Sequence, residues 1–495
     1  MGTPIPLNAA SFTLGDLARI TGGAIVTPGS CAPEDVVASI STDTRTLTPG
    51  SLFVALAGER FDGHDYLETA NQNGARAAIV ERDVKAPAGL ALVRCSSTLT
   101  ALGDLARTHL ERWRSFDGKR IIVAITGSAG KTTTRVAVTA MLEALYPGAV
   151  HSTKGNLNNL VGVPMVVFGL DEHHHVAVIE MGMNQPGEIA QLAAIARPDV
   201  AIVTLVAAAH VEGVGSIDGV AHEKGALYRA LLPSGIAIAN GDDDRVRTVL
   251  KGSSATQRIS YGTRDNVDVR IVDRRPEGFS LSRITLARPD GQALEFVTPL
   301  IGEAGAYACA AAVSVAEALA GERLTSTFVE AAFAAAEVGG GAGRLVPRPL
   351  GRDVVVIDDS YNANPASSAA SIRTAAELAR ASNRRLVLVL GAMYELGVES
   401  TSGHDAVGRA AASSGATIVF AIGGEARRIA DRAEEVGVPN KFFQTSAEAA
   451  PVVVDAVRPG DLVLVKGSRG VGTEKIVREL SLAFGERVAN AEATA

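Results

Sequence analysis

The chain has 495 residues, 47% apolar and 20% charged, with a formal net charge of −7. That length exceeds a single compact core and, at roughly 150 residues per domain, predicts about three, while the apolar content excludes a disordered chain. The acidic balance excludes general binding to a nucleic-acid backbone, which requires a basic surface.

Residues 1–20 lack a basic start followed by an apolar run, and Pro6 stands where an acylation signal needs Ser or Thr. The longest apolar stretch, near 200–209, falls short of the roughly 20 residues of a membrane helix. Cys31, Cys95 and Cys309 are scattered at no metal-ligand spacing, which predicts reduced thiols. A soluble cytoplasmic monomer without membrane insertion is expected.

From Arg120 onward, short β-branched runs alternate with Ala-rich helical stretches, the rhythm of βαβ units around a mostly parallel, doubly covered sheet. Residues 121–125, 176–179 and 200–203 read as buried strands, and a second series follows at 354–357, 386–390, 418–422 and 462–465. Between the two series, Gly339-Gly340-Gly341-Ala342-Gly343 reads as a hinge. A polar break near 113–118 marks the other boundary.

The first of these strands runs into Gly127-Ser128-Ala129-Gly130-Lys131-Thr132-Thr133-Thr134 and then a helical stretch from Lys131. Glycines there free backbone N–H groups to close around phosphate oxygens, and the helix N-terminus adds a favourable dipole. Lys131 is expected on the β/γ-phosphates and the Thr132 hydroxyl on magnesium. Ile125 occupies the position of the first glycine in the longer pattern, leaving the shorter Gly-x-x-Gly-Lys-Thr form.

Glu180 stands just after the second strand, where a carboxylate would project from the ligand edge of a parallel sheet, so a magnesium role is expected. Taken alone, His210 reads as a satisfied loop residue and Lys224 as a solvated one. His173-His174-His175 reads as a solvated loop, since three adjacent side chains do not converge easily on one ion. Asparagines crowd into Asn156-Leu157-Asn158-Asn159 and Asn362-Ala363-Asn364-Pro365, tight turns beside sheet edges with amides to offer substrate.

Together these segments resemble the Mur ligase family of ATP-dependent amide-bond formers, over nearly the whole chain. The resemblance rests on Ser41-Thr42-Asp43-Thr44-Arg45, Asp62-Gly63-His64, the phosphate loop, Thr153-Lys154-Gly155-Asn156-Leu157-Asn158-Asn159, Glu180-Met181-Gly182 and His210-Val211-Glu212-Gly213. In the last third it rests on Asp358-Asp359-Ser360-Tyr361-Asn362-Ala363-Asn364-Pro365, Glu395-Leu396-Gly397 and Lys466-Gly467-Ser468-Arg469. The Asp-Asn-Pro-Arg tetrapeptide of the diaminopimelate-adding branch is absent.

The resemblance implies an α/β fold of three domains: a mixed α/β UDP-substrate domain (1–116), a central phosphate-loop, doubly wound ATP domain (117–343) and a C-terminal Rossmann-like ligase domain (344–495). It implies ligation of D-alanyl-D-alanine to UDP-N-acetylmuramoyl-tripeptide through an acyl phosphate, with ATP and Mg2+, in peptidoglycan precursor synthesis. By resemblance Gly127, Ser128, Ala129, Gly130, Lys131, Thr132, Thr133, Arg344, Asp359 and Asn362 hold the nucleotide. Thr132, Glu180, His210 and a carbamylated Lys224 hold metal, with Lys131, Lys224 and His210 serving catalysis. Thr44, Arg45, Asn156, Asn158, Asn159 and Asn364 are assigned to substrate.

Several positions depart from the family pattern. Ala304, Gly305 and Ala308 stand where a His-Asn pair and a further Asn seat adenine, while Leu205, Gln185 and Ala392 replace a usual Asn, His and Asp. Two alternatives stay open. One is another ligase of the superfamily, adding a different amino acid or using a folate-like acceptor; the other is a non-catalytic nucleotide-dependent binding protein.

Overall fold

The computed structural model describes residues 5–8, 10–58, 61–335 and 343–485. The predicted hinge, 339–343, lies outside them except for Gly343.

Residues 11–94 carry a two-stranded antiparallel pair and a mixed five-stranded sheet. The Thr98–Arg114 helix packs its apolar face inward and carries in its last turn Trp113, which is buried. The indole Nε1 donates to the His174 carbonyl at 3.1 Å, pinning the helix to the next sheet.

The central sheet has nine strands. Its parallel core places Ile121–Thr126 between Val176–Glu180 and Val200–Val203, with Ile236–Asn240 beyond. These strands are buried along their whole length, because helices cover both faces and every side chain meets an apolar neighbour. The register sets Glu180 opposite Ile125 and Val203 opposite Thr126, so the loops after three adjacent strands emerge at one edge.

Three further strands, Val269–Glu277, Leu281–Ala287 and Ala293–Thr298, extend this sheet as antiparallel hairpins. The sequence reading missed them. Their inner residues alternate with Arg, Asp and Glu and include Pro276, so they lack the continuous apolar run that marks a strand covered on both faces.

The last sheet has six strands, parallel apart from the edge strand Val346–Pro349. The four strands expected from apolar runs are Val355–Asp359, Leu386–Gly391, Ile418–Ile422 and Leu462–Lys466. Among the described residues no helix is long and apolar enough to cross a membrane.

Candidate active site

The phosphate loop leaves the Ile121–Thr126 strand and enters the Lys131–Leu145 helix through Gly130, whose φ of 81° is left-handed. Gly127 lies against Thr204 so closely that a Cβ would collide with its Oγ1. That hydroxyl donates to the Ala129 carbonyl at 2.6 Å. Ser128 is held by the next loop too, donating from its backbone N to Leu205 O at 2.7 Å and from its hydroxyl to Ala207 O at 2.9 Å. Lys131 folds its Nζ back onto Gly127 O at 2.7 Å. Burial, assisted by the Arg344 charge and opposed by Glu180, lowers the affinity of that amine for its proton.

Glu180 is 1% exposed. Its Oε2 accepts from the Thr132 hydroxyl at 2.9 Å and its Oε1 from Asn158 Nδ2 at 2.9 Å, with Arg135 Nε 3.4 Å away. The Thr153 hydroxyl accepts from the Glu180 backbone N at 3.0 Å, fixing the strand end. A hydroxyl and a buried carboxylate at a phosphate loop match the preference of Mg2+ for one or two carboxylates completed by substrate phosphates and water. Among the described residues no three His, Cys, Asp or Glu side chains gather as a metal cluster. Of the three histidines expected in a solvated loop, His173 is exposed, whereas His174 is partly buried, edge-on to His151 and 2.8 Å from Asp171.

Lys224 corrects its isolated reading as solvated: it is 1% exposed on the Ile217–Arg229 helix. Burial and then the Lys131 charge push its amine well below the ordinary lysine range, against the opposing pull of Glu223. That shift favours the neutral amine, the form that takes up CO2 as a carbamate. His210, at a left-handed φ of 57°, faces Glu395 of the last domain.

The last domain closes the other side. Asn364 caps the Pro365–Ala381 helix, accepting from Ser367 N, and its Nδ2 reaches across to the Ser128 carbonyl at 3.1 Å. Asp359 binds Lys466 Nζ at 2.6 Å and the Ser371 hydroxyl at 2.5 Å, while Arg344 stacks over the Tyr361 ring at 4.0 Å. Between the domains lies a cavity of about 820 Å³.

The cavity brings together Ser128, Ala129, Gly130, Lys131, Thr132, Thr133, Asn156, Asn158, Asn159, Glu180, His210, Arg344, Asp359, Asn362 and Asn364. Thr44 and Arg45 are not among its lining; they sit on a turn of the first domain, where Arg45 pairs with Asp43 at 2.7 Å. Asn159 caps the Gly162–Phe168 helix through Gly162 N at 2.8 Å. Of the departing positions, Ala304 and Leu205 line the cavity, whereas Gln185, Gly305, Ala308 and Ala392 do not. Sequence reasoning gave no role to Arg135, Thr204, Tyr307 or Lys466. Lys466 alone carried a signal, as the charged end of an apolar strand.

A phosphate loop at the C-terminal edge of a parallel sheet, faced by a second α/β domain across a nucleotide-sized cavity, defines a nucleotide-dependent enzyme of the phosphate-loop class. The chain belongs to the Mur ligase family. Residues 36–109 match the Mur ligase family catalytic domain, 125–316 the Mur ligase middle domain, and 343–469 the Mur ligase glutamate ligase domain. The chain is 35% identical to the UDP-N-acetylmuramoyl-tripeptide--D-alanyl-D-alanine ligase of Escherichia coli (strain K12), covering 95% of this chain and 98% of that protein. To the enzyme of the same name from Bacillus subtilis (strain 168) it is 31% identical, covering 94% and 98%. The fold is similar to MurF from Acinetobacter baumannii (TM-score 0.82, 32% identity, 97% and 99% covered). It is also similar to MurF ligase from Thermotoga maritima in complex with ADP (TM-score 0.75, 26% identity, 90% and 97% covered).

Proposed function

We propose that this chain uses ATP and Mg2+ to join D-alanyl-D-alanine to the terminal carboxylate of UDP-N-acetylmuramoyl-tripeptide, in the cytoplasm, as a step of peptidoglycan precursor synthesis. The observation that carries the reading is the hydrogen-bonded row Thr132–Glu180–Asn158 beside the phosphate loop, in a chain similar along nearly its whole length to ligases of that name.

The carboxylate takes the γ-phosphoryl group of ATP, giving an acyl phosphate and ADP. The free amine of D-alanyl-D-alanine then attacks the acyl carbon, and phosphate leaves. Lys131 and the loop N–H groups stabilise charge on the transferring phosphoryl group, the dominant requirement of such reactions. Thr132 and Glu180, with His210 and a carbamylated Lys224, would hold Mg2+, which would supply positive charge against the approach of one anion to another. Asn158 keeps Glu180 oriented. Asn364 and Arg344, from the last domain, close over the loop and exclude the water that would hydrolyse the acyl phosphate. Thr44 and Arg45 serve the uridine end of the substrate on the first domain, and the chain acts as a monomer. The domain limits 1–116, 117–343 and 344–495 follow this division of labour.

The test is a competition among amines. The chain is incubated with ATP, Mg2+, UDP-tripeptide and an amine panel, and products are weighed. A pentapeptide formed only with D-alanyl-D-alanine supports the reading; a product carrying diaminopimelate or lysine overturns it.

A further inference from the structure

The cavity lining includes polar groups beside the phosphate loop, Asn158 and Glu180, and, from the start of the Gly302–Ala320 helix and the turn before it, the apolar surfaces of Leu300, Ala304 and Tyr307. A purine needs a flat apolar wall, and phosphates need the loop. The nucleoside therefore lies toward the helix.

That wall is rebuilt in this chain rather than stripped. A Cβ at Gly305 would collide with the Leu300 carbonyl, and Ala308 is fully buried away from the cavity. Side chains at these two positions could not reach a base here without displacing the turn before the helix. Tyr307 takes up the space instead. Its hydroxyl donates to Asp242 Oδ2 at 2.5 Å, and its ring meets buried Tyr261 edge-on at 6.4 Å. Asp242 is itself anchored, accepting from Thr263 N at 2.6 Å and Arg264 N at 3.0 Å. Burial and the Asp242 carboxylate raise the Tyr307 hydroxyl, so it stays a donor across neutral pH. The ring is thus held at its hydroxyl and by an aromatic neighbour before any nucleotide arrives, which lowers the entropic cost of binding.

We propose that Tyr307, held by Asp242, is the seat of the nucleotide base in this chain, binding it by ring stacking in place of side-chain amides. The proposal rests on the ATP-dependent reading given above. Stacking on an aromatic ring tolerates any base, because each base has a π-face. Discrimination between ATP and GTP should therefore be weak.

The test is calorimetric titration of the full chain with ADP and, separately, with inorganic tripolyphosphate, which has no base. Tyr307→Ala is expected to weaken ADP binding about tenfold and to leave tripolyphosphate binding unchanged, while Tyr307→Phe, which keeps the ring, recovers most of the ADP affinity. An unchanged ADP affinity in Tyr307→Ala, or an equal loss for both ligands, overturns the proposal, the second because it marks a structural role. If the unaltered chain binds tripolyphosphate but not ADP, the base seat fails. If it binds neither, the ATP-dependent reading fails instead.

Discussion

Glu395 Oε2 stands 2.6 Å from His210 Nδ1, joining the last domain to the central one. Both residues adopt left-handed φ angles, 62° and 57°, at a cost of about 1–2 kcal/mol each for side chains with a Cβ. The strain is held on both sides of the interface, where Glu212 N also approaches Glu395 O at 3.5 Å. His210 and burial act oppositely on the Glu395 carboxyl, and the histidine prevails, holding it below its usual range. Nδ1 faces the carboxylate, the kind of contact by which a hydrogen-bond partner fixes the ring orientation of a metal-binding histidine, the role proposed for His210.

Glu395→Ala is accordingly expected to lower turnover about tenfold, equivalent to about 1.4 kcal/mol. Stability should change by less than about 1 kcal/mol, because the carboxylate is more than half exposed and such pairs contribute little. Steady-state kinetics alongside denaturant unfolding checks both. Unchanged turnover would make the contact incidental.

The phosphate loop offers two independent substitutions. Lys131→Ala removes the charge that meets the transferring phosphoryl group and is expected to cut turnover by about 10²–10³. Gly127→Ala drives a methyl group into Thr204 and breaks its bond to Ala129 O, so nucleotide affinity falls. Neither should disturb binding of the UDP substrate, titrated without ATP, since Thr44 and Arg45 lie on another domain. Equal loss of both ligands would contradict that separation.

Lys224 gives a third test. Lys224→Ala is expected to abolish turnover, and acetate, a small carboxylate able to enter the space left by the side chain, should restore part of it. Lys224→Arg, permanently charged and unable to form a carbamate, should stay inactive with or without acetate. Full activity in Lys224→Arg would remove the carbamate from the mechanism.

Acid stability reports on His151. Its ring Nε2 lies 2.9 Å from Val166 O, and burial, then the His174 charge, lowers its pKa to about 4. An unfolded histidine titrates near ~6.5. Between these values the unfolded chain binds a proton that the folded chain refuses, so stability is complete above ~6.5 and declines toward pH 4. His109 and His404, also lowered by burial, act in the same sense. His151→Gln should therefore flatten the fall in thermal midpoint over this window without abolishing it. An unaltered slope would show that His151 does not titrate as its burial demands.

The parts of the fold legible in the sequence were those where one physical signal dominated. Continuous apolar runs such as Leu386–Gly391 could only be strands covered on both faces, and a glycine loop running into Lys131 could only serve a helix N-terminus. The antiparallel extension was illegible because a half-exposed strand with charges and a proline resembles a loop. Taken alone Lys224 reads as solvated, as isolated lysines usually are, although the helical spacing of Val220, Ala221, Lys224, Leu227 and Tyr228 places it on the buried face. Glu395 against His210 and Tyr307 against Asp242 join residues far apart in the chain. No local pattern announces such pairs; they exist only once the sheets are assembled.

Ligation through an acyl phosphate is tested most directly by following oxygen. UDP-tripeptide labelled with heavy oxygen in its terminal carboxylate is incubated with the chain, ATP, Mg2+ and D-alanyl-D-alanine, and the released phosphate is analysed by mass. The proposed mechanism predicts a single heavy oxygen in each phosphate, released together with pentapeptide and only when the amine is present. Phosphate carrying no label, or released at the same rate without D-alanyl-D-alanine, would contradict it.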